Sequence, residues 1–323
     1  LISSSLQRVL LAEVSSFGRA ETSTAAMRVT ALLGAAPGIA SHARRSSGSI
    51  RWVAAAQAKT QDDPAVPEAK LLKVRDKGKH LDRPWDLTYL RNRGKVTRAQ
   101  KEAWRTLWPQ YGIDVQTHAG GGEPPPRIDF RTVFPDRPEA PLALEVGFGL
   151  GHSLMEMAAA NPDKNFVGVE VHKPGIGAAL QKIQARREDL GDEWIDNVRV
   201  VRMDALWLIR DFLPRESLSD VCVYFPDPWS DAQAHRRIVN PFLLALIEPC
   251  MVRHGGRLHL STDDDAYATH VAKVMADAES NWTVANEALL GRSGCTKYET
   301  RGRALGSEIR NFKRVYTQHG RLF

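Results

Sequence analysis

The chain has 323 residues, 43% of them apolar and 25% charged, which is enough to bury a full α/β core with room for extensions. Its net charge of +6 and pI near 9.3 suit a polyanionic partner without requiring one. Three scattered cysteines (Cys222, Cys250 and Cys295) argue against a disulfide framework or a structural zinc, and no apolar run reaches the roughly 18–20 residues that span a bilayer.

Residues 1–60 differ in kind from the rest. They are rich in Ser, Ala and Arg, and their only acids are Glu13 and Glu21. From Met27 to Thr60 there is no acid, while Arg28, Arg44, Arg45 and Arg51 lie among small residues. This composition reads as a disordered extension of transit-peptide type, or else as a plain disordered tail. The first reading implies import into a plastid or mitochondrion and the second a cytoplasmic protein. Met27 is the expected start on either reading.

Residues 61–126 form a basic, aromatic-containing region that ends in the linker "GGGEPPPR". Lys and Arg alternate there with Trp85, Tyr89, Trp104 and Trp108. Such a mixture suits an RNA backbone and its bases, although for the tryptophans alone packing on the main domain is the favoured reading. Thr97 has the type and position of an N-cap, and Pro109 is expected to end the helix that follows.

From 127 to 323 the apolar runs "LALEVG", "FVGVEV", "VRVVRM", "DVCVYF" and "RLHLST" alternate with helical patterns. That alternation predicts a Rossmann-like α/β domain, a mostly parallel sheet with helices on both faces. Directly after the first run, Glu145, Gly147, Gly149 and Gly151 spell E-x-G-x-G-x-G. Glycines let the backbone turn tightly and approach a ligand, which in this fold lies at the carboxyl ends of the strands.

A carboxylate at Glu145 would repel a pyrophosphate but suits the ammonium of a methionine moiety. Glu170 closes the second run, where it can accept hydrogen bonds from two ribose hydroxyls, with Val171 beside it. Asp204 ends the third, within reach of an adenine amino group, with Ala205 beside it. One acid at a strand end is often an N-cap. Three at successive strand ends, beside this loop, point to S-adenosylmethionine rather than to a nicotinamide dinucleotide.

The fourth run ends in Phe225-Pro226-Asp227-Pro228-Trp229. Prolines on both sides of Asp227 restrict the backbone and hold its carboxylate at the strand end, beside the expected methyl group. With "LEVGFGLGHSLMEMA", "FVGVEVHKPG", "FPDPW" and the following "RRIV", "STDDDAYA" and "TKYETRGRALG", the chain resembles the bacterial-type tRNA (guanine-N7)-methyltransferase family. "YLRNRGKVTRAQ" upstream resembles it too, so the likeness covers some three quarters of the chain.

The resemblance implies a class I S-adenosylmethionine-dependent enzyme with no metal, which methylates N7 of the variable-loop guanosine of tRNA. It makes Asp227 the residue that positions the guanine, and Asp263, Thr296, Lys297, Tyr298 and Glu299 substrate-binding positions. Lys297 and Glu299 share one short loop, where a surface salt bridge is the plain alternative, but its place after the last predicted strands, where a lid would sit, favours substrate binding. His172 reads as packing or a rim contact, because N7 carries a lone pair and needs no base. No membrane and no obligatory protein subunit is implied, which leaves a monomer or homodimer.

One segment departs from the family. After "FPDPW" the relatives are strongly basic, whereas this chain reads "SDAQAHRRIV", with Asp231 where a lysine is usual. His235, Arg236 and Arg237 are the residues left there to meet phosphates, and RNA affinity should fall for every phosphate that no longer has a cationic partner. Two other readings therefore stay open: a methyltransferase of the same fold acting on another RNA, and a non-catalytic RNA-binding derivative. "EDLGDEWIDN" before the third run reads as a surface loop.

Overall fold

A computed structural model describes residues 87–90, 94–115, 125–278, 281–285, 290 and 297–317. The extension at 1–60, Trp85, most of the glycine-proline linker and Thr296 lie outside the described residues.

Thr97 caps α1 (Arg98–Tyr111) through a reciprocal pair with Gln100, in which each side chain accepts from the other's backbone N–H. Pro109 does not end this helix, which runs through it to Tyr111. Proline withholds only its own N–H, and the Gly112 N–H donates to the Trp108 carbonyl to complete the last turn. A short α2 (Phe130–Val133) precedes the first strand.

The five apolar runs become β1 (Leu142–Val146), β2 (Asn165–Glu170), β3 (Val198–Arg202), β4 (Leu218–Tyr224) and β5 (His254–Thr262). Between them lie α3 (His152–Ala160), α4 (Lys173–Leu190), the short α5 (Ala205–Trp207) and α6 (Pro241–Ile247). Two strands were not evident in the sequence: β6 (Trp282–Val284) and β7 (Arg310–Thr317). They follow α7 (Asp265–Asp277) and α8 (Lys297–Ala304) respectively. "EDLGDEWIDN" is not all surface loop, since it holds the end of α4 and a turn of 3-10 helix, after which Trp194 packs on the core.

The strand order is β3-β2-β1-β4-β5-β7-β6, with β1 to β5 parallel and β7 antiparallel to both its neighbours. β1 and β2 are buried along their whole length because helices cover both faces, which is why they read as continuous apolar runs. Alternate residues serve opposite cores. Leu144, Val146, Val221 and Val223 face one; Ala143, Cys222 and Tyr224 face the other, under α1, α3 and α4.

α1 packs closely on α4, where a Cβ on Gly177 would lie 2.6 Å from that of Gln100. Trp104 and Trp108 stack with centroids 4.7 Å apart and are half-buried against this core. They are packing residues. Both described cysteines, Cys222 and Cys250, are buried, and burial pushes the Cys250 thiol up to about 11.

At the amino end of β4, Asp220 is fully buried. It accepts from Lys164 Nζ at 3.0 Å and meets His259 Nε2 at 2.8 Å, so its charge is neutralised within the fold. Among the described residues no helix is long and apolar enough to cross a membrane.

Candidate active site

β1 lies between β2 and β4, so the chain leaves β1 in one direction and returns on its other side. The crevice that opens at such a switch point is bounded by the loops after β1 and β4. The loop after β1 is the glycine run and the loop after β4 is Phe225–Trp229. A cleft of about 340 Å³ lies there, within the usual range for a small-molecule site.

Gly147 and Gly149 line the cleft with φ of +69° and +59°. A Cβ on either would meet nothing within 4 Å, so these glycines supply left-handed backbone and leave the space before them open. Gly151 lies behind the wall. It starts α3 in the left-handed region, and a Cβ there would come within 2.9 Å of that of Ala179. Its part is to let α4 approach the loop. Gly175, missed in the sequence, does the same from the other side and also lines the cleft. A Cβ there would sit 2.3 Å from the Gly149 carbonyl oxygen.

Glu145 is buried on the wall and accepts from Ser153 Oγ at 2.8 Å, which fixes one carboxylate oxygen against the first turn of α3. Glu170 accepts from the N–H groups of Gly149 at 3.0 Å, Val171 at 2.7 Å and His172 at 2.9 Å. One carboxylate thus joins the glycine loop to the end of β2 and is held in a single orientation. Val171 lies on the same wall.

Asp204 does not lie on the wall; Met203 and Ala205 beside it do. Its Oδ1 accepts from the Leu206 N–H at 2.9 Å and caps α5, the ordinary use of an acid at a strand end. His152 also lines the cleft. Burial, followed by the nearby Lys182, holds it below the ordinary histidine range.

Asp227 lines the cleft from the loop after β4. Phe225 and Trp229 on either side of it have φ of +49° and +45°, a left-handed backbone that costs a bulky residue on the order of 1–3 kcal/mol. The prolines do not hold this loop alone. The Phe225 N–H donates to the Ser261 carbonyl at 2.8 Å. Buried Arg237 donates to the carbonyls of Pro228 at 2.8 Å and Trp229 at 2.9 Å, and to Asp231 Oδ1 at 2.9 Å. Arg237 is therefore a brace for the loop rather than a phosphate contact, and it also takes up the unexpected acid. Burial pushes the Tyr267 phenol up, and the negative Asp227 nearby adds to that.

Two of the remaining expected residues, Asp263 and Glu299, lie in a separate corner. Asp263 follows β5 and meets α8, where a Cβ on Gly302 would come 3.0 Å from its Oδ2. Glu299 is buried in α8 and accepts from Arg303 at 2.8 Å. Lys297 and Tyr298 begin this helix, so the segment is not the loop expected from the sequence, and the ion pair of Glu299 is with Arg303 one turn on. Neither Asp263 nor Glu299 is on the cleft wall. Residues from far upstream are on it: Thr88 and Tyr89, where Tyr89 meets the His172 ring edge-on at 6.0 Å.

The cleft fits S-adenosylmethionine. Open glycines leave a cradle where side chains would intrude, and Glu145, Glu170 and Asp227 supply negative charge for a ligand with ammonium and sulfonium groups. Strand order and cleft together define a Rossmann-like class I methyltransferase. A family profile described as "Putative methyltransferase" matches residues 139–312. The tRNA (guanine-N(7)-)-methyltransferase of Salmonella typhimurium is 36% identical over 226 residues, covering 69% of this chain and 87% of that protein. The protein of the same name from Aeromonas hydrophila is 36% identical over 239 residues, covering 71% and 92%. The solved 16S rRNA methyltransferase KamB aligns with 58% of this chain and 93% of its own at 16% identity and a TM-score of 0.40, too loosely to bear on function. The chain belongs to the tRNA (guanine-N7)-methyltransferase family.

Proposed function

We propose that the protein transfers a methyl group from S-adenosylmethionine to N7 of a guanosine in the variable loop of tRNA, with Asp227 positioning the base. The observation that carries this reading is the meeting of Asp227 with Glu145, Glu170 and the open glycines on one cleft. S-adenosylmethionine supplies an electrophilic methyl on a sulfonium. Glu145 would hold its ammonium, Glu170 its ribose hydroxyls, and Met203 and Ala205 the wall beside its base.

Guanine N7 has an in-plane lone pair, so no residue has to remove a proton before attack. Alignment and exclusion of water are the larger demands. The Asp227 carboxylate accepts from the guanine N1–H and exocyclic amine. As N7 gains its substituent the ring becomes cationic and N1–H more acidic, so these hydrogen bonds strengthen toward the transition state. Braced backbone on both sides of Asp227 avoids reorganisation when the base arrives.

Asp231 gave reason to expect a different RNA, but its partner Arg237 assigns it a place in the loop's own brace. The deciding experiment is methylation of bulk tRNA with radiolabelled donor, mapped by borohydride–aniline cleavage at N7-methylguanosine. Cleavage at the variable-loop guanosine that is lost in Asp227→Ala supports the proposal. Donor binding with label only in another RNA overturns the substrate. An organellar setting is proposed from the acid-poor extension, and a fluorescent fusion of residues 27–60 that stays in the cytosol would overturn it. Elution larger than a dimer would do the same for an enzyme without a partner subunit.

A further inference from the structure

Three consecutive backbone carbonyls, those of Leu87, Thr88 and Tyr89, all accept hydrogen bonds from the loop after β4. Arg236 Nε donates to Leu87 at 2.7 Å, Trp229 Nε1 to Thr88 at 3.1 Å, and Arg236 Nη2 to Tyr89 at 3.2 Å. The Arg236 guanidinium lies 3.4 Å from the Trp229 ring centroid, so the two donors form one stacked unit. Both are half-buried. The captured segment is part of the cleft wall through Thr88 and Tyr89, and it reaches the opposite loop where Tyr89 meets His172.

A segment held by its carbonyls is held whatever its side chains are, and each bond to the guanidinium is charge-assisted. The same tryptophan is fixed in place by Arg237, which binds its carbonyl. The adjacent arginines thus act in series: Arg237 sets the loop that carries Asp227, and Arg236 uses that loop to hold the upstream segment.

We propose that Arg236 and Trp229 are a clasp that keeps residues 87–89 across the methyl-donor cleft, so that the guanine-positioning loop also governs how tightly the donor is retained. The inference rests on the donor-site reading given above. It makes Arg236 a positioning residue for the donor, in place of the phosphate contact expected from the sequence. Donor exchange requires the clasp to open, and any movement of the loop as the base enters is passed to the donor side.

The test is calorimetric titration of S-adenosylhomocysteine into the full chain without RNA, together with its dissociation rate. Arg236→Ala should weaken binding on the order of tenfold, the value of a hydrogen-bonded charge, and speed release. Arg236→Lys, which reaches one carbonyl without stacking, should fall between. Trp229→Phe, which keeps the ring and loses one donor, should have the smallest effect. In turnover, KM for the donor should rise more than kcat falls. If all three variants bind S-adenosylhomocysteine as the wild type does and lose only tRNA affinity, the clasp is overturned and Arg236 is a phosphate ligand. The lysine and phenylalanine variants carry the test should the alanine variant not fold. Failure of the wild type itself to bind would instead overturn the donor reading, and the clasp with it.

Discussion

Asp220 and Asp227 stand at opposite ends of β4, and the fold treats them in opposite ways. Asp220, at the amino end, is fully buried between Lys164 and His259, and Ser219 Oγ also donates to it at 2.8 Å. Asp227, past the carboxyl end, stands half-exposed on the cleft in a loop whose strained backbone is braced from a distance. On the proposed reading the strand end that faces the crevice carries chemistry, while the charge at the other end of the same strand serves the fold. Residue type alone does not separate the two.

Replacing each aspartate should give complementary losses. Asp227→Asn should lower the methylation rate about 100- to 1,000-fold, as for loss of a pre-placed polar group at the developing charge, with the melting temperature unchanged and donor affinity lowered far less than the rate. Asp220→Asn should cost about 3–5 kcal/mol in urea unfolding, because Lys164 is left without its counter-charge, while each folded molecule turns over normally. Equal losses of rate per folded molecule would break the distinction.

Acid separates them as well. Burial opposes the charge on Asp220, but the hydrogen bond and charge of His259, then Lys164, hold its pKa at about 2 against an ordinary 3.8. A carboxyl depressed in the folded state contributes stability that is whole above its unfolded value and is lost as pH falls from about 4 to 2. The loss is about 2 kcal/mol, readable as a drop in unfolding free energy that Asp220→Asn lacks. On the donor side, Gly175→Ala brings a methyl against the Gly149 carbonyl and should cost about 1–3 kcal/mol of stability, with a fall in donor affinity measured by calorimetry.

The smallest effect concerns strain itself. Glu216 has φ of +55° in a turn away from the cleft, beside an exposed pair with Arg253. Glu216→Gly should raise stability by at most about 1 kcal/mol, since the relief exceeds what a surface pair contributes. Phe225→Gly relieves the same backbone strain on the cleft, and there methylation should fall even if the melting temperature rises.

The central strands and the glycine loop were legible because their signals are local. A run buried on both faces is apolar throughout, and Gly147 and Gly149, clustered directly after a strand, mark left-handed turns. β7 was hidden because it is only partly buried and carries Arg310, Lys313 and Arg314 among its apolar residues, and β6 has only three residues. Pro109 misled because a proline rule written for helix interiors is weak in a last turn. Asp204 carried the same strand-end signal as Glu170, and its Oδ1 caps α5 while its neighbours Met203 and Ala205 form the wall. The clasp left no pattern at all, since its acceptors are carbonyls of residues 87–89 and its donors lie more than 140 positions downstream. The matched positions at Asp263 and Glu299 were found by resemblance, and the structure sets them in the corner between β5 and α8 rather than on the cleft.

The position of β7 has a consequence for synthesis. It lies between β5 and β6 although it follows both in the chain, and β6 pairs with no other described strand. While the polypeptide is still emerging from the ribosome, β5 is an open edge and β6 has nothing to join. Glycine loop, Asp227 and arginine brace are all translated before that edge is closed. The nascent chain can therefore hold most of its site while exposing a sheet edge open to pairing with a neighbour. The length of that exposure is set by strand order, and the exposure ends when the β7 segment inserts.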